Sequence, residues 1–342
     1  MIRQNRAMEL YRFMAAVMIL CYHCQWFAFR DTESAFSGFY LFVELFFILS
    51  GFLMTATIRR HVTDAQRLDP AGMTGRYMKK RLGRLLPHHI LSWLLVAAIR
   101  LFLLRDLWPI ELVEIGWPEL FLVNIFGFVR DKYINIVCWY LSAMVFASLI
   151  VHYLLLRDEK GFMCVAAPLI LVMCYGALFD RTGSLAATIH FTRYAPHMGF
   201  MRALADITVG VLAFRAYERL EDTPLPGESV IATILEAAVL VSACLWMSRN
   251  SGLADFLAIP LFFVFVISVF RGRSLWTRLF DNDLSGWLGR QSYAFFLNNL
   301  VVIYPYMHWF PESNLLGMVT FCVPACLILS VLTGAFLKML AR

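Results

Sequence analysis

Apolar positions in this chain come in long, nearly unbroken runs, and the polar ones gather in short segments between them. That is the pattern of helices buried on every side, not of half-wet amphipathic helices or alternating strands. A spanning helix takes ~20 mostly apolar residues. Runs at 8–29, 38–58, 87–104, 138–156, 162–179, 199–215, 229–248, 253–270, 290–309 and 315–338 meet that length, predicting ten transmembrane helices. The thirteen-residue stretch Trp117–Val129 is too short to span and reads as re-entrant or interfacial.

The informative positions are the polar ones inside these runs. Arg12 and His23 lie within the first run, where ionisable groups are expensive and point to function. Glu9, Arg12, Ala16, Ile19 and His23 recur at spacings of three and four, forming one helix stripe. Arg12 and His23 share that face, ~16 Å apart along the axis at 1.5 Å per residue. Such a stripe faces protein or a cavity, not lipid. In the second run, Glu44 sits at nearly the same depth as His23, ~21 Å against ~22 Å from the inner edge. Depth alone leaves two readings of that pair. The carboxylate orients a catalytic imidazole, or it is a polar tie between helices.

Composition agrees with a membrane protein. The 342 residues are 60% hydrophobic and 16% charged, with a mean hydropathy of +0.67. The net charge of +6 calls for no nucleic acid partner. With the N-terminus inside, twenty of the thirty Lys and Arg fall on the inner side and seven outside, which places both termini in the cytoplasm. Arg3 and Arg6 ahead of an apolar run resemble a signal peptide. That run is long enough to span, however, and no small-residue cleavage site precedes Gln25-Trp26-Phe27, so it reads as a retained first helix. The whole chain, 1–342, reads as one membrane domain with no appended soluble domain. The eight cysteines fall mostly in apolar runs and read as packing residues; no metal site is expected, Cys21-x-x-Cys24 included.

Between the runs, Arg76 to Pro87 is strongly basic. Arg81 and Arg84, one turn apart with Lys80 beside them, suit a phosphate-rich ligand, although the residues alone favour topology and lipid headgroups as their reason. Gly51, after Ser50, reads as a point of close helix approach. Trp139 and Tyr140 open a span from the outer side, as interface anchors or as a sugar-stacking platform. His190, Arg193, His197, Arg202 and His308 lie at or near that same side and would together line an acceptor cleft.

Taken in order, these segments resemble the acyltransferase-3 family of membrane-bound acyltransferases of bacterial cell-surface glycans. The resemblance rests on Glu9-Leu10-Tyr11-Arg12 through His23, on Val43-Glu44-Leu45-Phe46-Phe47-Ile48-Leu49-Ser50-Gly51-Phe52 and on Arg81-Leu82-Gly83-Arg84. Trp139-Tyr140-Leu141-Ser142 and Trp287-Leu288-Gly289-Arg290-Gln291-Ser292-Tyr293 add less specific matches. Glu9 and Glu44 stand where the family usually has Asp. Asn298-Asn299 stand where it often has Trp-His.

The resemblance implies an enzyme of the bacterial cytoplasmic membrane, without a permanently bound cofactor. It would transfer an acyl group, acetyl above all, from acyl-CoA to a hydroxyl of a cell-surface polysaccharide or its precursor. Arg81, Arg84 and Lys80 would hold the donor. His23 would act as general base or transient acyl carrier, with Glu44, Arg12 and Glu9 as its catalytic partners. Trp139, Tyr140, His190, Arg193 and His197 would bind the glycan. A competing class is a transporter using Arg12, Glu44 and His23 as a coupling relay; the absence of an internal repeat counts against it.

Overall fold

The computed structural model describes residues 5–29, 36–61, 69–129, 132–186, 198–221, 223, 227–245 and 252–340. His190, Arg193 and His197 lie outside the described residues. The described chain is all helical, as the unbroken apolar runs require, because a bilayer leaves no water to satisfy open backbone groups.

The first helix, α1, is Arg6–Ala28, started by the Asn5 side chain accepting from the Met8 amide. It is followed by α2 (Phe42–His61), α3 (Pro70–Ala98, prolonged as a π-helix over Ile99–Leu104) and the short α4 (Pro109–Leu120). Next come α5 (Cys138–Arg157), α6 (Ala167–Thr182, entered through a π segment at Phe162–Ala166) and α7 (Met198–Leu220). The last six are α8 (Glu228–Leu245), α9 (Ala258–Arg271), α10 (Leu275–Phe280), α11 (Asp283–Leu297), α12 (Asn299–Trp309) and α13 (Leu315–Leu340).

Ten spans were expected from the apolar runs; among the described residues, six helices are long and apolar enough to cross a membrane. They are Phe39–Arg60, Pro70–Leu104, Cys138–Arg157, Glu159–Thr182, Gly252–Arg271 and Leu315–Leu340, and they make this a multi-pass membrane protein. Each remaining run falls short for an identifiable reason. Glu9, Arg12, His23 and Gln25 dilute α1, and Arg202, Asp206, Arg215 and Glu218 dilute α7. The run predicted at 290–309 breaks at Asn298 into α11 and α12. The run at 229–248 reaches the edge of the described residues within α8. This count does not set the side of the membrane on which the termini lie.

The basic segment ahead of residue 87 is not a loop. It forms the first turns of α3, which runs through Pro87 without a stop. The short run at Trp117–Val129 closes α4 and continues as a turn and a 3-10 segment at Asn124–Phe126, without spanning.

α2 and α7 make the tightest crossing, and glycine permits it. A Cβ on Gly51 would lie 2.0 Å from the Ile207 carbonyl oxygen, and one on Gly210 would lie 2.0 Å from that of Ile48. Only small residues allow backbones this close. α1 lies against α11 in a similar manner, since a Cβ on Gly289 would fall 2.3 Å from the Glu9 Cβ.

Candidate functional site

α1 carries polar groups to two separate openings in the bundle. The first is a cavity of about 570 Å³ near the N-terminal half of α1. Arg12, Arg81, Arg84 and Arg290 line it, and among the described residues no carboxylate does. The two oxygens of Glu9 accept from Arg12 Nη1 at 2.8 and 3.0 Å, which fixes that guanidinium beside the cavity. Gly289 leaves the room for Glu9 to do so. Arg81 donates to Ser50 Oγ at 2.6 Å and to the Tyr77 hydroxyl, and lies 5.7 Å from the Tyr77 ring centre. One helical turn later Arg84 is exposed, as is Arg290 on α11. Lys80 is exposed too, but it is not among the lining residues.

The second opening is a chamber of about 40 Å³ at the C-terminal end of α1. His23 lines it together with Tyr22, Trp26, Tyr40, Val43 and Trp139. The stripe from Glu9 to His23 therefore faces the interior along its length, and Ala16 and Ile19 between them are 0% and 1% exposed.

Glu44 does not reach this chamber. The level is right, since Val43 lines it, but the next residue turns ~100° further round the helix. Glu44 points at α7, where its Oε1 accepts from Arg202 Nε at 3.0 Å and also from Nη2. Both side chains are completely buried, and Asp206 lies beside them. The Arg202 guanidinium in turn lies 5.6 Å from the Trp139 ring centre.

The partner of His23 is Asn299. Its Nδ2 lies 3.0 Å from His23 Nδ1, and Asn299 is fully buried in the first turn after the α11–α12 break. An amide NH₂ only donates, so in this arrangement Nδ1 accepts and the neutral ring carries its proton on Nε2. A half-turn of the amide brings its carbonyl to the ring instead. Nδ1 then keeps the proton, and the Nε2 lone pair is free to act as a base.

Trp139 and Tyr140 are each 7% exposed, inside the bundle and not at an open mouth. Tyr140 stacks on Phe47 at 4.7 Å and lines the arginine cavity. Trp139 lines the His23 chamber.

The acyltransferase domain of the acyltransferase-3 family matches residues 5–338. The chain belongs to the acyltransferase-3 family. No curated protein and no solved structure matches it.

Arg290 and Asn299 were not singled out from the sequence, and Arg202, expected to line an acceptor cleft, is instead fully buried against Glu44. Arg290 lay inside a matched motif, where its basic side chain was the available signal. Arg202 read as one more outer cation, because spacing does not reveal which helix faces Glu44. Asn299 appeared only as a departure from the family's usual Trp-His, yet it sits directly on the histidine.

Proposed function

We propose that this protein transfers an acetyl group from acetyl-CoA to a hydroxyl of a bacterial cell-surface glycan. The observation that carries the reading is the cavity ringed by Arg12, Arg81, Arg84 and Arg290 without a lining carboxylate. Arg12 is paired with Glu9, but Arg81, Arg84 and Arg290 converge with no carboxylate among the described lining residues, which matches a ligand bearing several phosphates, as coenzyme A does. Arg81, Arg84 and Arg290 take the phosphates. Arg12, held by Glu9 deeper along α1, guides the pantetheine arm.

The thioester end extends along the α1 stripe toward His23. With the Asn299 carbonyl holding Nδ1–H, Nε2 accepts the proton of the glycan hydroxyl as the oxygen attacks the thioester carbon. The C–O bond forms, the C–S bond breaks, and the proton passes to the departing CoA sulfur. Glu44 has no direct part in this proton transfer; it anchors Arg202 behind Trp139. The segment holding His190, Arg193 and His197 follows α6, and we assign it to the glycan.

The test is titration of the purified protein with coenzyme A, with transfer followed by release of the CoA thiol. Arg84→Ala and Arg290→Ala should each weaken CoA binding about 10- to 100-fold, the worth of a hydrogen bond to a charged group. His23→Ala should bind CoA normally and release no thiol. Unchanged CoA affinity in the double arginine variant refutes the donor site. Wild-type turnover in His23→Ala refutes the histidine.

A further inference from the structure

The arginine cavity and the His23 chamber share one lining residue, Phe296. Around it the two spaces alternate along each helix. On α2, Val43 lines the chamber and Phe46, one turn on, lines the cavity. On α5, Trp139 lines the chamber and Tyr140 the cavity. Three rings close the boundary between them. Tyr140 and Phe296 meet edge to face at 5.1 Å, as do Phe46 and Tyr140 at 6.2 Å, and Phe46 and Phe296 lie tilted to each other at 6.3 Å. Each ring comes from a different helix, and each touches the other two.

We propose that Phe46, Tyr140 and Phe296 form the acyl gate of this enzyme, with Phe296 as its size-selecting leaf. The inference rests on the donor reading above. If the phosphates lie among the arginines and the chemistry occurs at His23, the thioester must cross this boundary, since Arg12 and His23 are ~16 Å apart along α1. The space beyond is small. At roughly 10–15 Å³ for each water-sized occupant, a 40 Å³ chamber takes about three such groups, the size of an acetyl unit. A butyryl chain overfills it unless the shared wall is cut back. Phe296 is that wall. It lies in the last turn of α11, just before the helix breaks at Asn298, and the break also places Asn299 on His23. Acyl size and histidine orientation are therefore set within one stretch of four residues. The gate has a second consequence. Closed, it bars water in the arginine cavity from a thioester lying at His23.

The experiment uses the full chain in lipid nanodiscs, with acetyl-CoA or butyryl-CoA as donor and a glycan extract of the native envelope as acceptor. Acyl incorporation and CoA release are both measured. Phe296→Ala should raise the butyryl-to-acetyl transfer ratio about 10- to 200-fold, the range for removing a methylene-scale steric exclusion. Phe296→Leu, a gentler change to the core, should move the ratio the same way by less. CoA release without glycan should rise in Phe296→Ala as water replaces the hydroxyl, giving free carboxylic acid and CoA thiol. Monodisperse elution and thermal unfolding in the same nanodiscs report whether each variant is folded, and binding of free coenzyme A is measured alongside. If either variant binds CoA as wild type does and keeps the wild-type donor ratio, the gate is refuted and the donor site stands. If the wild type neither binds CoA nor releases it from either donor, the donor reading falls and takes the gate with it.

Discussion

Glu44 and Arg202 are the most heavily buried ion pair among the described residues, and their removal tests whether Glu44 is structural or catalytic. Both are 0% exposed, and Glu44 Oε1 takes two N–H groups of one guanidinium. Removing one partner of such a pair strands a charge where water cannot reach it, at about 3–5 kcal/mol. The two ends are unequal here because Asp206 lies alongside. In Glu44→Gln the arginine still has a carboxyl neighbour, so the loss should sit near about 3 kcal/mol. In Arg202→Met, Glu44 and Asp206 are left together without a cation, so the loss should approach about 5 kcal/mol. The double variant Glu44→Gln with Arg202→Met leaves neither an isolated cation nor paired carboxylates. It should recover about 1–3 kcal/mol relative to the sum of the singles.

Equilibrium unfolding in detergent micelles gives the stabilities, and the pH profile of transfer gives the second readout. A carboxylate orienting His23 would shift that profile when replaced by Gln. An anchor 100° round the helix from the chamber would lower the amount of folded enzyme and leave the profile in place. Strict additivity, or a cost below about 1 kcal/mol for Arg202→Met, would refute the buried-pair argument. A displaced pH optimum in Glu44→Gln would return Glu44 to the catalytic residues.

Asn299→Leu should slow transfer roughly 5- to 150-fold, corresponding to about 1–3 kcal/mol for an unmade buried hydrogen bond, with CoA affinity unchanged. Asn299→Asp, which can only accept from Nδ1–H when ionised, should retain turnover, and inactivity there would remove the base mechanism. Gly51→Ala drives a methyl into the Ile207 carbonyl and should cost about 1–3 kcal/mol in unfolding experiments. Gly83→Ala, with nothing within 4 Å, is its neutral control. Glu119, in the short α4 outside the spanning helices, is pushed up to about 8 by burial, which outweighs its N–H donors Trp93, Ile134 and Asn135. Its folded form binds the proton more tightly than the unfolded chain, so its contribution is full below about pH 4.5 and is lost as pH rises through about 8. Melting temperatures should therefore fall between pH 5 and pH 9; a flat profile would mean that the donors hold the carboxylate ionised.

The sequence reading recovered the ingredients better than their partners. Arg12 and His23 were legible because ionisable groups stand out within an apolar run, and the stripe from Glu9 to His23 followed from helix period alone. Gly51 was legible as a contact point and proves to be one. Pairing between helices was not legible. Depth put Glu44 level with His23, but one residue of rotation sends it to Arg202. The span count failed for a related reason. Hydropathy treats a run as one object, while the break at Asn298 and the polar load of α1 and α7 depend on which neighbours receive those groups. Phe296 left no trace in the sequence. One phenylalanine among thirty becomes a gate only when helices from three parts of the chain converge on it.

That polar load also explains which helices are enclosed. In a bilayer the apolar helices can face lipid, and those carrying charge must be enclosed. Over their most apolar stretches, α3, α6 and α13 are only 22–28% buried, which makes them the lipid-facing rim. α2 and α5 are 78% and 72% buried, and they carry Glu44, Ser50, Trp139 and Tyr140. α7, too polar to qualify as a span, lies against both of them, and α1, equally polar, lies against α2 and α11. Two helices that do not qualify as spans are thus the ones that carry Arg12, His23 and Arg202. On the proposed mechanism such a helix lines the route of the acyl group, because a donor with charged phosphates and a thioester needs the polar lining that lipid would not tolerate. Apolar replacement along this stripe, as in Arg12→Leu, should therefore leave the helix in place and abolish passage. A stripe that served only to hold the bundle together would give the reverse result, loss of folding with turnover per folded molecule preserved.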